Sequence, residues 1–234
     1  MSATASAAES TELPLLLIAG YAPGLGAAVA ARFAAAGYRV LALSRHAPDA
    51  DIPGGLHRVL DLLADDAPAQ LHALLARHGT PRVVLHQPGL FRRGRPETLS
   101  EADFVDCWRS MVLSAQRLAA AGLPAMVRAG GGSLIVAGAT ASLRGGAEFA
   151  AFASAKFALR GLTQALARAY QPQGVHVAHV ILDGILAGSE RIAAAPDAPR
   201  LQPHAVAAVL FDLAAQSPGA WTHELDLRAA GEPF

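Results

Sequence analysis

Apolar residues fall along this chain in short consecutive runs, separated by longer stretches with helical spacing. Seven runs read as strands: LPLLLIAG (13–20), RVLALS (39–44), HRVLDL (57–62), RVVLHQ (82–87), SLIVAGA (133–139), VHVAHVIL (175–182) and THELDLR (222–228). Several are apolar at successive positions, the pattern of a parallel sheet covered on both faces. Helices are predicted between them. GAAVAARFAAAG (26–37) closes at Gly37, a left-handed cap. DDAPAQLHALLARHG (65–79) opens on acidic residues and ends on His78 and Gly79, matching the helix dipole at both ends. Ser100 and Asp103 form a capping-box pair ahead of a helix over 104–123, and 148–170 keeps helical spacing throughout. Strand and helix alternate without repeat or linker, which predicts an α/β fold: a doubly wound, mostly parallel seven-stranded sheet with helices on both faces. Residues 13–234 read as a single domain behind a disordered tail over 1–12.

Composition narrows the function. Of the 234 residues 53% are hydrophobic and 16% charged, and the formal net charge is zero. No basic stripe marks a nucleic-acid or membrane-surface partner. Residues 13–31 carry no charge, but Pro14, Gly20, Pro23, Gly24 and Gly26 break them where a membrane-spanning helix would be continuous. The N-terminus lacks the basic segment of a secretory signal. A lone cysteine, Cys107, excludes an intramolecular disulfide and fits a reducing compartment. These features predict a cytoplasmic protein acting on a small molecule, with no metal site.

The first chemical signal is IAGYAPGLGAAVA, where Gly20, Gly24 and Gly26 lie between the first strand and the first helix. Glycines there allow a tight turn and let a phosphate approach backbone N–H groups at the helix N-terminus. Tyr21, Pro23 and Leu25 complete this loop, in a Rossmann-type setting for a dinucleotide. After the second strand come Ser44 and Arg45. An aspartate there would hold ribose hydroxyls and repel a phosphate, whereas a hydroxyl followed by a guanidinium suits one. The pair favours NADP over NAD.

On these residues the chain resembles the short-chain dehydrogenase/reductase family along nearly its whole length. The resemblance matches Gly20, Gly24 and Gly26 to the family's glycine motif, and Asp61, followed by Leu62, to the acidic residue that contacts adenine. It matches Gly89 to the last glycine of the N-N-A-G turn, with His86 and Gln87 in place of the asparagines. Gly184 falls at the glycine of the family's P-G turn, with Asp183 in place of the proline. His86 is expected to stack near adenine or to bond backbone.

The resemblance also implies where catalysis sits. In the family a tyrosine protonates the carbonyl oxygen, a lysine four residues later lowers its pKa and holds the nicotinamide ribose, a serine bonds the substrate oxygen, and an asparagine assists. Counting from Lys156 places Phe152 at the tyrosine and Ala139 at the serine; counting from Phe104 places Met111 at the asparagine. Lys156 is the only lysine among nineteen Lys and Arg residues. Thr140, Ser142, Ser154 and Asp183 are the nearby groups able to exchange a proton, Asp183 as a partly buried acid.

Two readings stand side by side. One is an NADP-dependent oxidoreductase in which Lys156 with a hydroxyl, carboxyl or water replaces the phenol. The other is a nucleotide-binding protein without turnover. The segment 185–203, with Glu190 and Arg191, suggests a small lid, and the helices at 101–121 and 148–170 suggest a homodimer or homotetramer.

Overall fold

The computed structural model describes residues 13–188 and 199–231. The tail assigned to 1–12, and Glu190 and Arg191 of the lid segment, lie outside the described residues.

The elements follow in the order β1 (Leu15–Ala19), α1 (Leu25–Ala34), β2 (Arg39–Ser44), β3 (Gly55–Val59), α2 (Ala67–His78), β4 (Val83–His86), α3 (Glu101–Trp108), α4 (Ser114–Arg128), β5 (Gly132–Ala137), α5 (Ala150–Tyr170), β6 (Val175–Asp183), β7 (Ile185–Leu186), β8 (Arg200–Leu201), α6 (Pro203–Ala214) and β9 (Glu224–Arg228). Seven strands form one sheet in the order β3-β2-β1-β4-β5-β6-β9, and every pairing in it is parallel. The fold is the expected doubly wound Rossmann-type sheet. The winding reverses between β1 and β4, and in such sheets the crevice at the carboxyl ends beside that reversal is where ligands bind.

Consecutive apolar residues on the strands serve two cores. Leu15, Leu17 and Ala19 face α2, α4 and α5, while Leu16 and Ile18 face α1 and α6. Each fully buried Leu or Ile contributes about 1.5–3 kcal/mol. On the second face Phe33 of α1 meets Phe211 of α6 edge-on at 5.0 Å between ring centroids, and the Arg32 guanidinium lies 3.7 Å from the centre of the Phe211 ring.

Local signals work as the sequence suggests at most element ends. Ser100 caps α3: its hydroxyl accepts from the Asp103 N–H at 3.2 Å, and the Asp103 carboxylate accepts from the Ser100 N–H at 3.0 Å. Gly37 takes the positive φ expected after α1, and that of Gly79 after α2 is positive as well.

Three features differ from the sequence reading. The third strand spans Gly55–Val59 instead of 57–62. Gly55 sets this start, because a side chain there would meet the Val40 carbonyl oxygen at 2.3 Å, so only glycine lets the strands pair at that point. The helix predicted over 104–123 runs from Glu101 to Arg128 and is interrupted by a π turn at Arg109–Leu113. The segment after Gly184 pairs Ile185–Leu186 with Arg200–Leu201 and leads into α6, which was not anticipated.

Candidate active site

A cavity of about 850 Å³ opens at the carboxyl ends of β1, β4, β5 and β6. Glycine-loop residues Gly20, Ala22, Pro23, Leu25 and Gly26 form one side, joined by Gln87 and Gly89 after β4. Ala139, Thr140, Phe152, Lys156, Asp183 and Gly184 line its floor and far side.

The glycine loop is held from two directions. The N–H groups of Gly20 and Tyr21 both donate to Leu43 O, at 2.9 and 2.8 Å, tying the loop to the end of β2. Gln87 Nε2 donates to Gly20 O at 3.0 Å. Gly20 has φ 79°, and a side chain on it would meet Pro88 N at 2.8 Å, so two constraints require glycine. α1 then begins behind Gly24 with no side-chain cap on its first N–H groups, which leaves them to an anion. Gln87 Oε1 is buried without a hydrogen-bond partner, an acceptor beside the loop that a bound ligand can satisfy. This cradle fits a dinucleotide pyrophosphate. Tyr21 is buried, its ring edge-on to His57 at 6.4 Å, and burial raises its phenol pKa.

The residues expected around the adenosine end follow the carboxyl ends of β2 and β3 and do not line the cavity. Arg45 is exposed beyond β2. Ser44 is already engaged: its hydroxyl donates to His46 O at 2.7 Å and lies 2.7 Å from His57 Nε2. With that proton committed, His57 is the donor of the pair. Asp61 is exposed, and its carboxylate accepts the Leu63 N–H at 2.9 Å. Leu62 is buried in the core, its carbonyl accepting from Arg117 Nη1 at 2.8 Å.

On the floor, α5 carries Phe152 and Lys156 one turn apart. Both are buried, at 7% and 6% exposure, yet both reach the cavity. Lys156 Nζ donates to Ala137 O at 2.9 Å, which fixes it at the end of β5. Ala139 N–H donates to Ser142 Oγ at 3.2 Å, and Ser142 is fully buried and absent from the lining. Ser154 is exposed and donates to Ala151 O. Met111 is fully buried in the π turn and does not line the cavity.

Thr140 and Asp183 meet directly, the threonine hydroxyl donating to Asp183 Oδ1. Arg228 Nη1 on β9 holds the other carboxylate oxygen, Oδ2, at 2.6 Å. Asp183 is thus buried, bonded to Thr140 and ion-paired with Arg228. Thr140 commits its proton to Asp183, which also lines the cavity, and is left with acceptor lone pairs.

Below the floor lie two fully buried histidines. The Nε2 of His86 lies 2.8 Å from Ser114 Oγ. Ser114 donates to Ser110 O at 2.5 Å, so His86 donates and its unpartnered Nδ1 is the unprotonated nitrogen. Burial, then the charge of Lys156, lowers the His86 pKa to about 3. His179 stands beneath Gly138, where a side chain would meet its Nε2 at 2.4 Å. Its Nδ1 is 3.4 Å from Glu224 Oε2, too long and poorly directed for a hydrogen bond. Burial lowers the His179 pKa to about 4 against the opposing pull of Glu224. Glu224 is itself held by Arg160 through Nε and Nη2 at 2.6 and 2.7 Å.

Sequence reasoning missed His57, His179, Arg228 and the cavity-lining Phe91, Arg144 and Phe149. The available signal was the aromatic and basic run FRRGR (91–95) directly after Gly89. Among the described residues no group of three or more His, Cys, Asp or Glu could hold a metal ion, and no helix is long and apolar enough to cross a membrane.

Residues 15–191 match the family model described as short chain dehydrogenase. No curated protein matches the chain. Among solved structures, a short-chain dehydrogenase from Rhodopseudomonas palustris is 30% identical with a TM-score of 0.77, covering 94% of this chain and 99% of that one. A metagenomic short-chain oxidoreductase in complex with NADP is 24% identical with a TM-score of 0.78, over 92% and 97% of the two chains. An alcohol dehydrogenase from the archaeon Thermococcus sibiricus, complexed with 5-hydroxy-NADP, is 22% identical with a TM-score of 0.82, over 95% and 99%.

Proposed function

The chain belongs to the short-chain dehydrogenase family, and on that premise we propose that it is an NADP-dependent oxidoreductase of atypical mechanism, acting on a small carbonyl compound or alcohol. The observation that carries this reading is Lys156, the chain's one lysine, fixed through Ala137 O where the cavity floor meets β5. The uncapped α1 N-terminus supports a pyrophosphate, and Arg45 beside the glycine loop supports a ribose phosphate. Coenzymes in two similar structures are in keeping with it.

The chemistry that such a coenzyme supplies is hydride transfer to or from a carbon bearing oxygen. The protein's share is to hold the coenzyme, position that oxygen and move its proton. Lys156 holds ribose hydroxyls from the floor. Phe152, at the place of the family's phenol, has no proton to give, and Ala139, at the place of the serine, offers no hydroxyl. The polar side chain left beside them is Thr140. Its proton is directed at Asp183, so it accepts a hydrogen bond from a substrate hydroxyl or from water, and in this reading water delivers the proton to a carbonyl. That arrangement forfeits much of the 10²–10⁴-fold that a positioned acid gives.

Phe152 and Ala139 favour a second reading, coenzyme binding without turnover. A panel of aldehydes, ketones and quinones with NADPH separates the two. Steady oxidation of NADPH, lost in Lys156→Ala, supports the oxidoreductase; no oxidation against any member leaves the binding protein. A homodimer or homotetramer is part of the same proposal. It is supported by Val105 and Trp108 on α3 and Phe157 on α5, which are 53%, 46% and 44% exposed. Sedimentation of the full chain tests it, a monomer at micromolar concentration counting against it.

A further inference from the structure

The end of the cavity away from the glycine loop has a chemistry of its own. Phe91 is the centre of an aromatic wall: its ring lies 5.2 Å from Phe152 at 69° and 5.7 Å from Phe149 at 50°. Phe91 and Phe149 are only partly buried and all three rings line the cavity, so they leave ring surface for a ligand. Rings set at such angles pack best on another flat ring, edge to face or offset.

The wall is braced. Gly94 N–H donates to Glu148 O at 2.8 Å, Gly94 and Phe149 form a parallel bridge, and Arg93 is ion-paired with Glu148. A side chain on Gly146 would meet the Phe149 ring at 2.7 Å, so glycine there lets the ring lie against the backbone.

Charge at this end is one-sided. The Arg93 charge is answered by Glu148, and Asp183 by Arg228. Arg144 also lines the cavity and is exposed, and no acidic partner answers it among the described residues. Gly145 and Gly146 follow it, so the two residues next to the guanidinium put no side chain between it and a ligand. An arginine so placed offers paired, directional donors that match a carboxylate.

We infer that this lobe takes a flat, apolar molecule bearing a carboxylate, with the ring against Phe91, Phe149 and Phe152 and the carboxylate on Arg144. Arg144 is then the residue that selects an acidic substrate over its neutral counterpart. This deepens the oxidoreductase reading by naming a substrate class, and it rests on that reading only in taking the lobe as the substrate's place.

The test is calorimetric titration of the full chain, at low ionic strength, with naphthoate and with naphthamide as a neutral counterpart of similar shape. Wild type is expected to bind naphthoate about five- to tenfold more tightly than the amide, the range of one charge-assisted contact at a partly exposed site. Arg144→Gln brings that ratio to about one and leaves amide affinity in place, whereas Phe149→Ala weakens both probes alike. A wild-type ratio of one, a ratio surviving in Arg144→Gln, or no binding of either probe at millimolar concentration overturns the inference. NADPH titrated alongside keeps the two ideas apart. Acid discrimination without NADPH binding sinks the coenzyme reading alone, and NADPH binding without acid discrimination sinks this inference alone.

Discussion

The Lys156 ammonium lies 5.8 Å from the centre of the Phe152 ring, one turn away on α5. At that range the ring attracts the cation through its quadrupole but offers it no proton. The same helix register, with a hydroxyl on the ring, would link a proton donor to the ammonium. In the proposed reading, this relationship separates holding a coenzyme from catalysing with it.

On the proposed reading, supplying the two hydroxyls is expected to raise turnover. Phe152→Tyr combined with Ala139→Ser is expected to increase the rate of NADPH oxidation with a responsive carbonyl by about 100-fold or more, the lower end of general acid catalysis. Initial rates at saturating NADPH check this. No gain in a folded double variant would place the missing function elsewhere.

Removing the ammonium acts on binding. Lys156→Met keeps the buried aliphatic stem and is expected to weaken NADPH about tenfold, the value of one charge-assisted hydrogen bond at the low end of its range. Tryptophan fluorescence titration, with circular dichroism to confirm folding, measures it. Unchanged affinity would mean the ammonium serves the β5 carbonyl alone.

On the proposed reading, coenzyme choice is expected to fall to Arg45 more than to Ser44. The Ser44 hydroxyl is committed to His46 O and His57, whereas Arg45 is exposed beside the loop. Arg45→Ala is expected to reduce the preference for NADPH over NADH about tenfold and Ser44→Ala by less than about threefold, since a charge outweighs a hydroxyl already bonded. Parallel affinities for both coenzymes decide it.

Acid should destabilise the protein well before its carboxylates are protonated. His86 and His179 have folded-state pKa values of about 3 and 4, below the ordinary 6.5. The unfolded chain therefore binds protons that the folded chain refuses. Their contribution is fully present above about pH 6.5 and is lost progressively as pH falls toward the folded values. At about pH 5 the loss is on the order of 2 kcal/mol per histidine. Urea midpoints should fall between pH 7 and pH 5, and His179→Leu should flatten that decline; a pH-independent midpoint would show that neither ring is held neutral.

Much of the fold was legible because a sheet covered on both sides demands consecutive apolar residues, and LLLIA and VLAL show them plainly. The seven strands and their neighbouring helices follow from that pattern. The start of β3 was not legible, because it depends on the Gly55 backbone approaching Val40 across the sheet. The π turn leaves no mark in periodicity, since a turn one residue wider shifts the apolar stripe only slightly. α6 escaped because its apolar run PHAVAAVLFDLA lacks a polar face. At the site, local spacing picked out Gly20, Phe152 and Lys156, which line one cavity. It could not show that Asp183 pairs with Arg228, 45 positions on, or that His86 lies against Ser114.

The central claim is that a nicotinamide dinucleotide binds this cavity, and calorimetric titration of the full chain with NADPH tests it most directly. Saturable binding near one site per chain, with NADH about tenfold weaker on the charge argument for Arg45, is the predicted result. Absence of heat from either reduced coenzyme at millimolar concentration would contradict it.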